Sequence, residues 1–242
     1  LEAALEQLRV RVPEYLADLR LSHGALRILG TPRRLVIHIE DLAAVQADLE
    51  QVIKGPPAAR AFGPDGSPTS AAEGFARSKN VPLSDLQVRE MDGGRYVVAV
   101  VRQAGRPAVS VLAEALPSWI AGLRFEKSMR WNSSNVAFSR PIRWLLAIYG
   151  SGEDCQVVPF EYAGLISGDT TRGLRFREPQ EQRIRSPQEY YDFLSAQGIL
   201  LDPDERRAAI RSQVERLAAE VGGAIPEDAD LLSEVTNLVE AP

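Results

Sequence analysis

One short segment of the chain concentrates the residues that could bind an anion. Residues 125–150 hold two of the three tryptophans and four cations against a single acid, Glu126. The cations and tryptophans are Lys127, Arg130, Trp131, Arg140, Arg143 and Trp144. Basic side chains contact phosphates and tryptophan stacks on unpaired bases, so this mixture is typical of an RNA-binding surface. We therefore predict that this segment binds an anion, with RNA as the first candidate.

Two more groups of arginines lie outside this segment. The rigid turn at Thr31-Pro32 delivers Arg33 and Arg34 to the start of a strand. Between residues 171 and 177, cationic and apolar residues alternate, so the arginines there would share one face of a strand. Each group is either an ordinary solvated surface or part of an anion-binding surface, and the residues alone leave both interpretations open.

The two tryptophans of the first segment also have a purely structural interpretation. A strand through this region would bury Trp131 and Trp144 in the core and leave the charges on its solvent face. The spacing favours burial for the tryptophans, above all for Trp144 in its apolar surroundings, and a contact role for some of the arginines.

The overall charge excludes a protein that coats nucleic acid without selectivity. The 242 residues carry a net charge of −5, and we expect no DNA partner. Residues 203–242 hold nine acids and four arginines, so the rest of the chain is close to neutral. Only three of the 28 basic residues are lysines. That arginine bias suits phosphate contacts, but genome base composition would produce it as well.

No catalytic constellation is visible in the sequence, and we predict no catalytic residue in this chain. The phosphate-binding Gly-x-x-x-x-Gly-Lys loop, the Gly-x-Ser-x-Gly elbow and the His-Glu-x-x-His motif are all absent. Cys155 is the only cysteine and His23 and His38 the only histidines, so we expect neither disulfides nor a metal site. His38 alternates with apolar neighbours and is interpreted as a sheet-surface residue. The single cysteine fits a reducing, cytoplasmic setting, and with no long apolar run we expect no membrane partner.

The hydrophobic pattern predicts helices and hairpins that alternate without regular βαβ spacing. That arrangement indicates an α+β fold in which antiparallel sheets are packed with helices. We predict two subdomains, 1–125 and 126–242, with their boundary within about 125–160. The predicted helices are 1–21, 69–79, 108–123, 187–197, 203–221 and 226–240. The predicted strands are 25–29, 34–39, 52–54, 86–91, 95–102, 141–149, 156–162 and 199–202.

Local signals mark several of these element ends. Asp92-Gly93-Gly94 predicts a tight hairpin between two strands. Either Thr69 or Ser67 would cap the helix that follows, and Ser186 and Asp202 would cap two later helices.

Taken together, the motifs resemble the β subunit of bacterial glycyl-tRNA synthetase, and the resemblance covers nearly the whole chain. The motifs that carry it occur in the family's order. They are Thr31-Pro32-Arg33-Arg34-Leu35, Lys54-Gly55-Pro56-Pro57, Pro68-Thr69, Ala71-Ala72-Glu73-Gly74-Phe75-Ala76, Lys127-Ser128-Met129-Arg130-Trp131, Phe138, Arg140-Pro141-Ile142-Arg143-Trp144-Leu145, Thr171-Arg172-Gly173, Arg175-Phe176 and residues 231–242.

The chain departs from the family pattern in three ways. The Gly-Thr-Glu-Glu sequence usual near the family's start is absent before Leu1, and Leu174 replaces a usual histidine. The chain also stops at Pro242, where family members continue for several hundred residues. We therefore expect an N-terminal fragment.

The resemblance implies a part in the ATP-dependent attachment of glycine to its tRNA during protein biosynthesis. In that family the chemistry, with ATP and magnesium, belongs to the α subunit, which is a separate or a fused chain. This fragment would therefore have no cofactor of its own, and its partners would be glycine tRNA and the α subunit. The family's N-terminal portion is similar to the body and tail domains of archaeal CCA-adding enzymes.

We therefore predict a non-catalytic region of a glycine–tRNA ligase that binds tRNA and contacts the α subunit. The candidate tRNA-binding residues are Arg33, Arg34, Lys127, Arg130, Trp131, Arg140, Arg143, Arg172 and Arg175. A purely structural region that braces the α subunit or a dimer is the alternative. An editing hydrolase is a third hypothesis, but no nucleophile, base or metal ligand supports it.

Overall fold

The computed structural model describes all 242 residues and divides them into two compact units. The first unit comprises Leu1–Ala44 and Pro107–Pro242, and the second is Val45–Arg106. This division differs from the predicted subdomains 1–125 and 126–242. The boundaries differ because the two ends of the second unit are hydrogen-bonded to each other. The Gln46 N–H donates to the carbonyl of Arg106 at 3.0 Å. The 45–106 segment thus closes on itself as an insertion.

The fold is α+β, and its strands form small antiparallel sheets, as predicted. The helices are α1 (Glu2–Asp18), α2 (Ala58–Ala61), α3 (Ser70–Lys79), α4 (Ala108–Gly122), α5 (Pro187–Ala196), α6 (Pro203–Glu220) and α7 (Ala229–Thr236). The strands are β1 (Leu26–Thr31), β2 (Arg34–Ile39), β3 (Leu49–Pro57), β4 (Gln87–Met91), β5 (Gly94–Gln103), β6 (Ile148–Tyr149), β7 (Gln156–Val157), β8 (Glu161–Tyr162), β9 (Leu165–Ile166), β10 (Thr170–Arg172) and β11 (Glu181–Arg183).

The main core of the first unit lies between α1, α4 and the β1–β2 hairpin. Apolar residues recur along α1 at helical spacing, and the buried ones join α4 residues such as Leu112 and Trp119 in one cluster. The Tyr15 and Trp119 rings stack with centroids 5.1 Å apart. Pro13 lies inside α1 without dividing it, so that helix is continuous. This core fixes one face of the hairpin that carries Arg33 and Arg34.

A second cluster in the same unit surrounds α5. Its buried members are Ile184, Phe193, Leu194, Ile199 and Leu201. Leu29 and Val36 of the hairpin and Leu174 pack against it as partly buried residues. The hairpin is therefore held from two sides, and β10 and α5 are brought beside it.

The second unit is a three-stranded antiparallel sheet in the order β3-β5-β4 with α2 and α3 against it. Its small core contains Ala61, Ala72 and Val97. The predicted hairpin is confirmed, because Met91 pairs with Gly94 and the two intervening residues have φ of +51° at Asp92 and +76° at Gly93. Such positive values at both turn positions suit Asp-Gly.

The predicted helix caps are also confirmed. Thr69, rather than Ser67, caps α3, its side chain accepting from the Ala71 N–H at 3.3 Å. Ser186 Oγ accepts from the Glu189 N–H at 3.1 Å, and Asp202 Oδ1 accepts from the Asp204 N–H at 2.7 Å. Each cap satisfies a backbone donor that the first helical turn leaves free.

Several predicted strands are shorter than expected or absent. The 141–149 strand is reduced to β6, and before it Leu145 and Ala147 form backbone hydrogen bonds with Gly168, while the Ala147 carbonyl accepts from Val158. No strand forms at 199–202, and the alternating pattern at 171–177 ends as a strand at Arg172. At 171–177 the alternation of cationic and apolar residues does not follow burial, because Phe176 is 95% exposed. The final helix is also shorter than predicted.

None of the helices combines the length and the apolar character that a membrane-spanning segment needs.

Candidate functional site

The predicted binding residues converge on one open groove in the first unit. The groove has a volume of about 1990 Å³ and is lined by β2, by residues 138–151 and by residues 171–175. We call it the arginine groove. Seven of the nine candidate residues line it, namely Arg33, Arg34, Trp131, Arg140, Arg143, Arg172 and Arg175. Three sequence segments that are far apart in the chain thus supply one cationic surface.

Arg34 lies at the inner side of this groove and is committed to the fold. Its Nε is 2.9 Å from Glu240 Oε1, and the two side chains are only 4% and 5% exposed. The Thr31 hydroxyl donates to the same carboxylate oxygen, and Arg34 Nη1 donates to the carbonyl of Arg172 at 2.7 Å. A guanidinium that is buried and held by these partners is not accessible to a phosphate. The assignment of Arg34 to a backbone contact with tRNA therefore does not fit this geometry.

Trp144 is the aromatic partner of two of these arginines. The guanidinium carbons of Arg34 and Arg172 lie 5.5 and 5.9 Å from the Trp144 ring centroid, within cation–π range. Trp144 is half-buried. Trp144 was expected to lie in the apolar core. Its ring instead packs against two arginines of the groove, a contact that the apolar sequence pattern could not indicate.

Arg172 and Arg33 are only partly available. Arg172 Nη2 pairs with Glu181 Oε1 at 2.9 Å in an exposed geometry. Arg33 Nε approaches Glu240 Oε2 at 3.8 Å, and its side chain remains 52% exposed. The exposed Arg172–Glu181 pair contributes little to stability, so the Arg172 guanidinium can change partners. The Glu240 carboxylate is buried, but its contact with Arg33 is long and the exposed part of Arg33 stays accessible.

Arg140, Arg143 and Arg175 form the available cationic set of the groove. All three are exposed and have neither an ion pair nor a side-chain hydrogen bond within the chain. Of the acids that line the groove, Glu40 pairs with Arg27 at 3.1 Å and Glu181 pairs with Arg172. Only one lining acid, Asp41, has no ion pair, so unpaired positive charge exceeds unpaired negative charge.

Lys127 and Arg130 are exposed but do not line the groove. They lie on a bend whose arms are joined by backbone bonds between Met129 and Phe138, at 2.8 and 3.1 Å. Arg130 Nε donates to the Asn135 carbonyl at 3.2 Å. Trp131, on the same bend, is half-buried and does line the groove. The structure thus separates the two cations from the other seven candidates.

Three further groove residues had no functional interpretation in the sequence. His38 Nδ1 and the Tyr191 hydroxyl are 2.9 Å apart, and the Tyr190 and Tyr191 ring centroids are 6.0 Å apart. Burial is the main cause that lowers the pKa of His38 and that raises the pKa of Tyr190 to about 12. The tyrosines come from α5, more than 150 positions after the hairpin, so only tertiary structure could connect them with His38.

The arrangement of these groups suits ligand binding better than catalysis. Unpaired guanidinium groups, aromatic rings and neutral hydrogen-bonding groups share one surface, and such surfaces hold polyanions that carry flat rings. No group of three or more His, Cys, Asp or Glu side chains is placed to hold a metal ion.

The comparisons with known proteins all indicate the same family. The sequence model of the family described as "Glycyl-tRNA synthetase beta subunit" matches residues 1–242. The glycine–tRNA ligase beta subunits of Desulforamulus reducens and Moorella thermoacetica are each 44% identical over 239 residues, which is 99% of this chain and 34% of each relative. The Arabidopsis thaliana chloroplastic/mitochondrial glycine–tRNA ligase 2 is also 44% identical, over 22% of its length. The chain thus spans about a third of the length of the bacterial relatives.

Proposed function

Because the chain belongs to the glycyl-tRNA synthetase beta subunit family, we propose that it is the part of a glycine–tRNA ligase that binds tRNA and contacts the partner α subunit. In this proposal the chain corresponds to the N-terminal third of the β subunit. The attachment of glycine to tRNA, with ATP and magnesium, takes place on the α subunit in the cytoplasm. The chain itself supplies no catalytic residue and no cofactor site.

The observation that carries the proposal is the set of three unpaired arginines in the arginine groove. Arg140, Arg143 and Arg175 are exposed and unpaired, and they line the same groove as Trp131 and the partly available Arg33 and Arg172. Guanidinium groups suit phosphate oxygens, because their planar donors match phosphate geometry. An acidic protein gains nothing in solubility from grouping cations in a concave surface, so the grouping favours an anionic partner. A tRNA backbone is the anion that fits the family.

One observation favours the structural alternative for part of the site. Arg34 and Arg172 already have internal carboxylate partners, Glu240 and Glu181. The buried Arg34 pair therefore supports the hypothesis of a mainly structural region, whereas Arg172, in its exposed pair, remains partly available. We assign Arg34 to bracing, and we assign the unpaired arginines to tRNA.

We also propose the similarity to the body and tail domains of archaeal CCA-adding enzymes that the family resemblance implies. Those domains grip the acceptor and elbow of tRNA. We propose the same class of contact here, with phosphates on the arginine groove and Lys127 and Arg130 as outer contacts.

The proposal is tested with the full-length β subunit assembled with its α subunit. Arg140, Arg143 and Arg175 are replaced by alanine singly and together, and binding of glycine tRNA is measured by filter binding across a range of KCl concentrations. Each lost phosphate contact should reduce the slope of log affinity against log salt by roughly 0.7–0.9.

Arg211→Ala is the matched control for these variants, because Arg211 is exposed, has no ion pair and does not line the groove. This variant should bind like the wild type. If the triple variant keeps the wild-type affinity and salt slope, the groove does not bind tRNA phosphates and the structural alternative is preferred.

A further inference from the structure

Phe176 is exposed to a degree that no other large apolar side chain of the chain matches. Its side chain is 95% accessible, and it stands between two exposed arginines, Arg175 and Arg177. Single exposed apolar residues are common on protein surfaces, so Phe176 is informative only through its neighbours and the support that holds it. Neither the groove nor the core explains its position, because Phe176 belongs to no apolar cluster and does not line the groove.

A tight turn holds Phe176 at its corner. The Arg177 N–H donates to the Leu174 carbonyl at 3.2 Å, so Arg175 and Phe176 are the two central residues of the turn. Leu174 packs against the α5 cluster on the inner side. The next residue, Arg175, lines the arginine groove, and Phe176 then points away from the core.

The loop that carries this turn is braced from inside by Gln197, which is only 2% exposed. Gln197 Oε1 accepts from the Leu174 N–H at 3.2 Å, and its Nε2 donates to the Pro179 carbonyl at 3.2 Å. Its own carbonyl accepts from Arg177 Nη1 at 3.1 Å. One buried amide thus ties both arms of the loop, and the exposed ring is presented on an ordered support. A group that is ordered before binding loses less entropy on binding.

The surroundings of Phe176 select the kind of ligand. A protein partner needs a contiguous apolar patch, whereas here a single ring is flanked by guanidinium groups. Of the nearby acids, Glu181 pairs with Arg172 at 2.9 Å, and Glu178, which accepts from Gln180 Nε2 at 3.2 Å, is a single charge against the two flanking arginines. An unpaired cation next to an exposed ring matches a phosphate followed by a base. Unpaired RNA bases stack on phenylalanine in this way.

We propose that Phe176 stacks on an unpaired base of the RNA whose phosphates contact the arginine groove, with Arg175 holding the adjoining phosphate. The proposal rests on the proposed tRNA-binding function and adds to it a contact that depends on a base rather than on charge. It identifies the bound element as a tRNA segment with at least one base outside the duplex stack.

The test uses the full-length β subunit assembled with its α subunit and glycine tRNA. Phe176→Ala should weaken binding by between about fivefold and about 150-fold, the range of one base–aromatic stack. Phe176→Trp should restore most of the affinity. Because the ring neutralises no phosphate, the salt slope should be unchanged in both variants. Ile166→Ala is the matched control, since Ile166 is 78% exposed but lies on the β8–β9 hairpin outside the groove.

The outcomes separate this inference from the function on which it rests. If the groove arginine variants bind weakly while Phe176→Ala binds like the wild type, the stacking contact is wrong and the tRNA-binding function stands. If the arginine variants also bind normally, the proposed function itself fails. A Phe176→Ala variant that loses association with the α subunit but binds tRNA normally would assign the ring to a protein contact and overturn the proposal.

Discussion

Arg34 and Glu240 form a buried ion pair across 206 positions of sequence, with Arg34 Nε 2.9 Å from Glu240 Oε1. The pair connects the start of β2 to the segment after α7, and Thr31 and Arg33 turn toward the same carboxylate. Arg34 was predicted to contact a ligand, but its ion pair with Glu240 instead stabilises the fold.

Glu240→Gln should destabilise the first unit by about 3–5 kcal/mol, because it leaves a buried guanidinium without a counter-charge. Urea denaturation of the full-length protein, combined with hydrogen exchange over residues 29–36, measures this effect locally. The control is Glu220→Gln, which breaks the exposed pair with Arg216 and should cost less than about 0.5 kcal/mol. Equal effects of the two substitutions would contradict a fold-holding role for Glu240.

Arg206 should prove to be the other structural arginine of the first unit. It is fully buried, and its Nε donates to the Thr236 carbonyl at 2.9 Å while Nη1 donates to the carbonyls of Gly30 and Leu200 at 3.1 and 2.6 Å. Arg206→Ala leaves these buried acceptors without donors, at about 1–3 kcal/mol each. We expect a loss of more than about 3 kcal/mol in the free energy of unfolding.

The control for this prediction is again Arg211→Ala, on the exposed side of the same helix, which should be close to neutral. Denaturation midpoints of the two variants, measured side by side, decide the matter. A near-neutral Arg206→Ala would mean that water replaces the lost donors.

His38 should make the first unit less stable in mild acid. Burial is the main cause that lowers its pKa below the ordinary 6.5, with Glu40 opposing and Arg27 assisting the shift. As the pH falls below the ordinary value, the unfolded chain takes up the proton first, so stability falls in that range and is fully present above it. His38→Gln should remove this part of the pH dependence. An imidazole that titrates at or above 6.5 by NMR would contradict the prediction.

Local composition identified residues that share one groove, but it could not identify which of them are paired. Lys127, Arg130 and the groove arginines stand out because local composition reveals cations beside aromatic residues, and seven of those candidates do share one groove. The ion pair of Arg34 could not be predicted from local composition, because Glu240 is 206 positions away from Arg34. Charge alone could not distinguish a paired arginine from a free one such as Arg143.

The elements show the same limit. Caps and the Asp92-Gly93 turn depend on neighbouring residues, and they were predicted correctly. The 173–177 segment alternates like a strand, but Gln197, some twenty positions later, bonds to Leu174 and helps to hold it as a turn. A buried amide that fixes a distant loop leaves no periodic signal in the sequence.

Gln197 should therefore affect tRNA binding without contacting tRNA. With 2% of its surface exposed, it cannot reach the RNA, but its amide ties Leu174 to Pro179 and so holds the turn that presents Phe176. Gln197→Ala should lower the affinity for glycine tRNA by a smaller factor than Phe176→Ala, because a loosened loop can still close on the base at an entropic cost. The double variant should bind no more weakly than Phe176→Ala alone, since both changes remove the same contact.

Filter binding measures all three variants. Ser167→Ala, another buried polar substitution, gives the control for general destabilisation and should leave the affinity unchanged. Additive losses in the double variant would mean that Gln197 acts through something other than the presentation of Phe176.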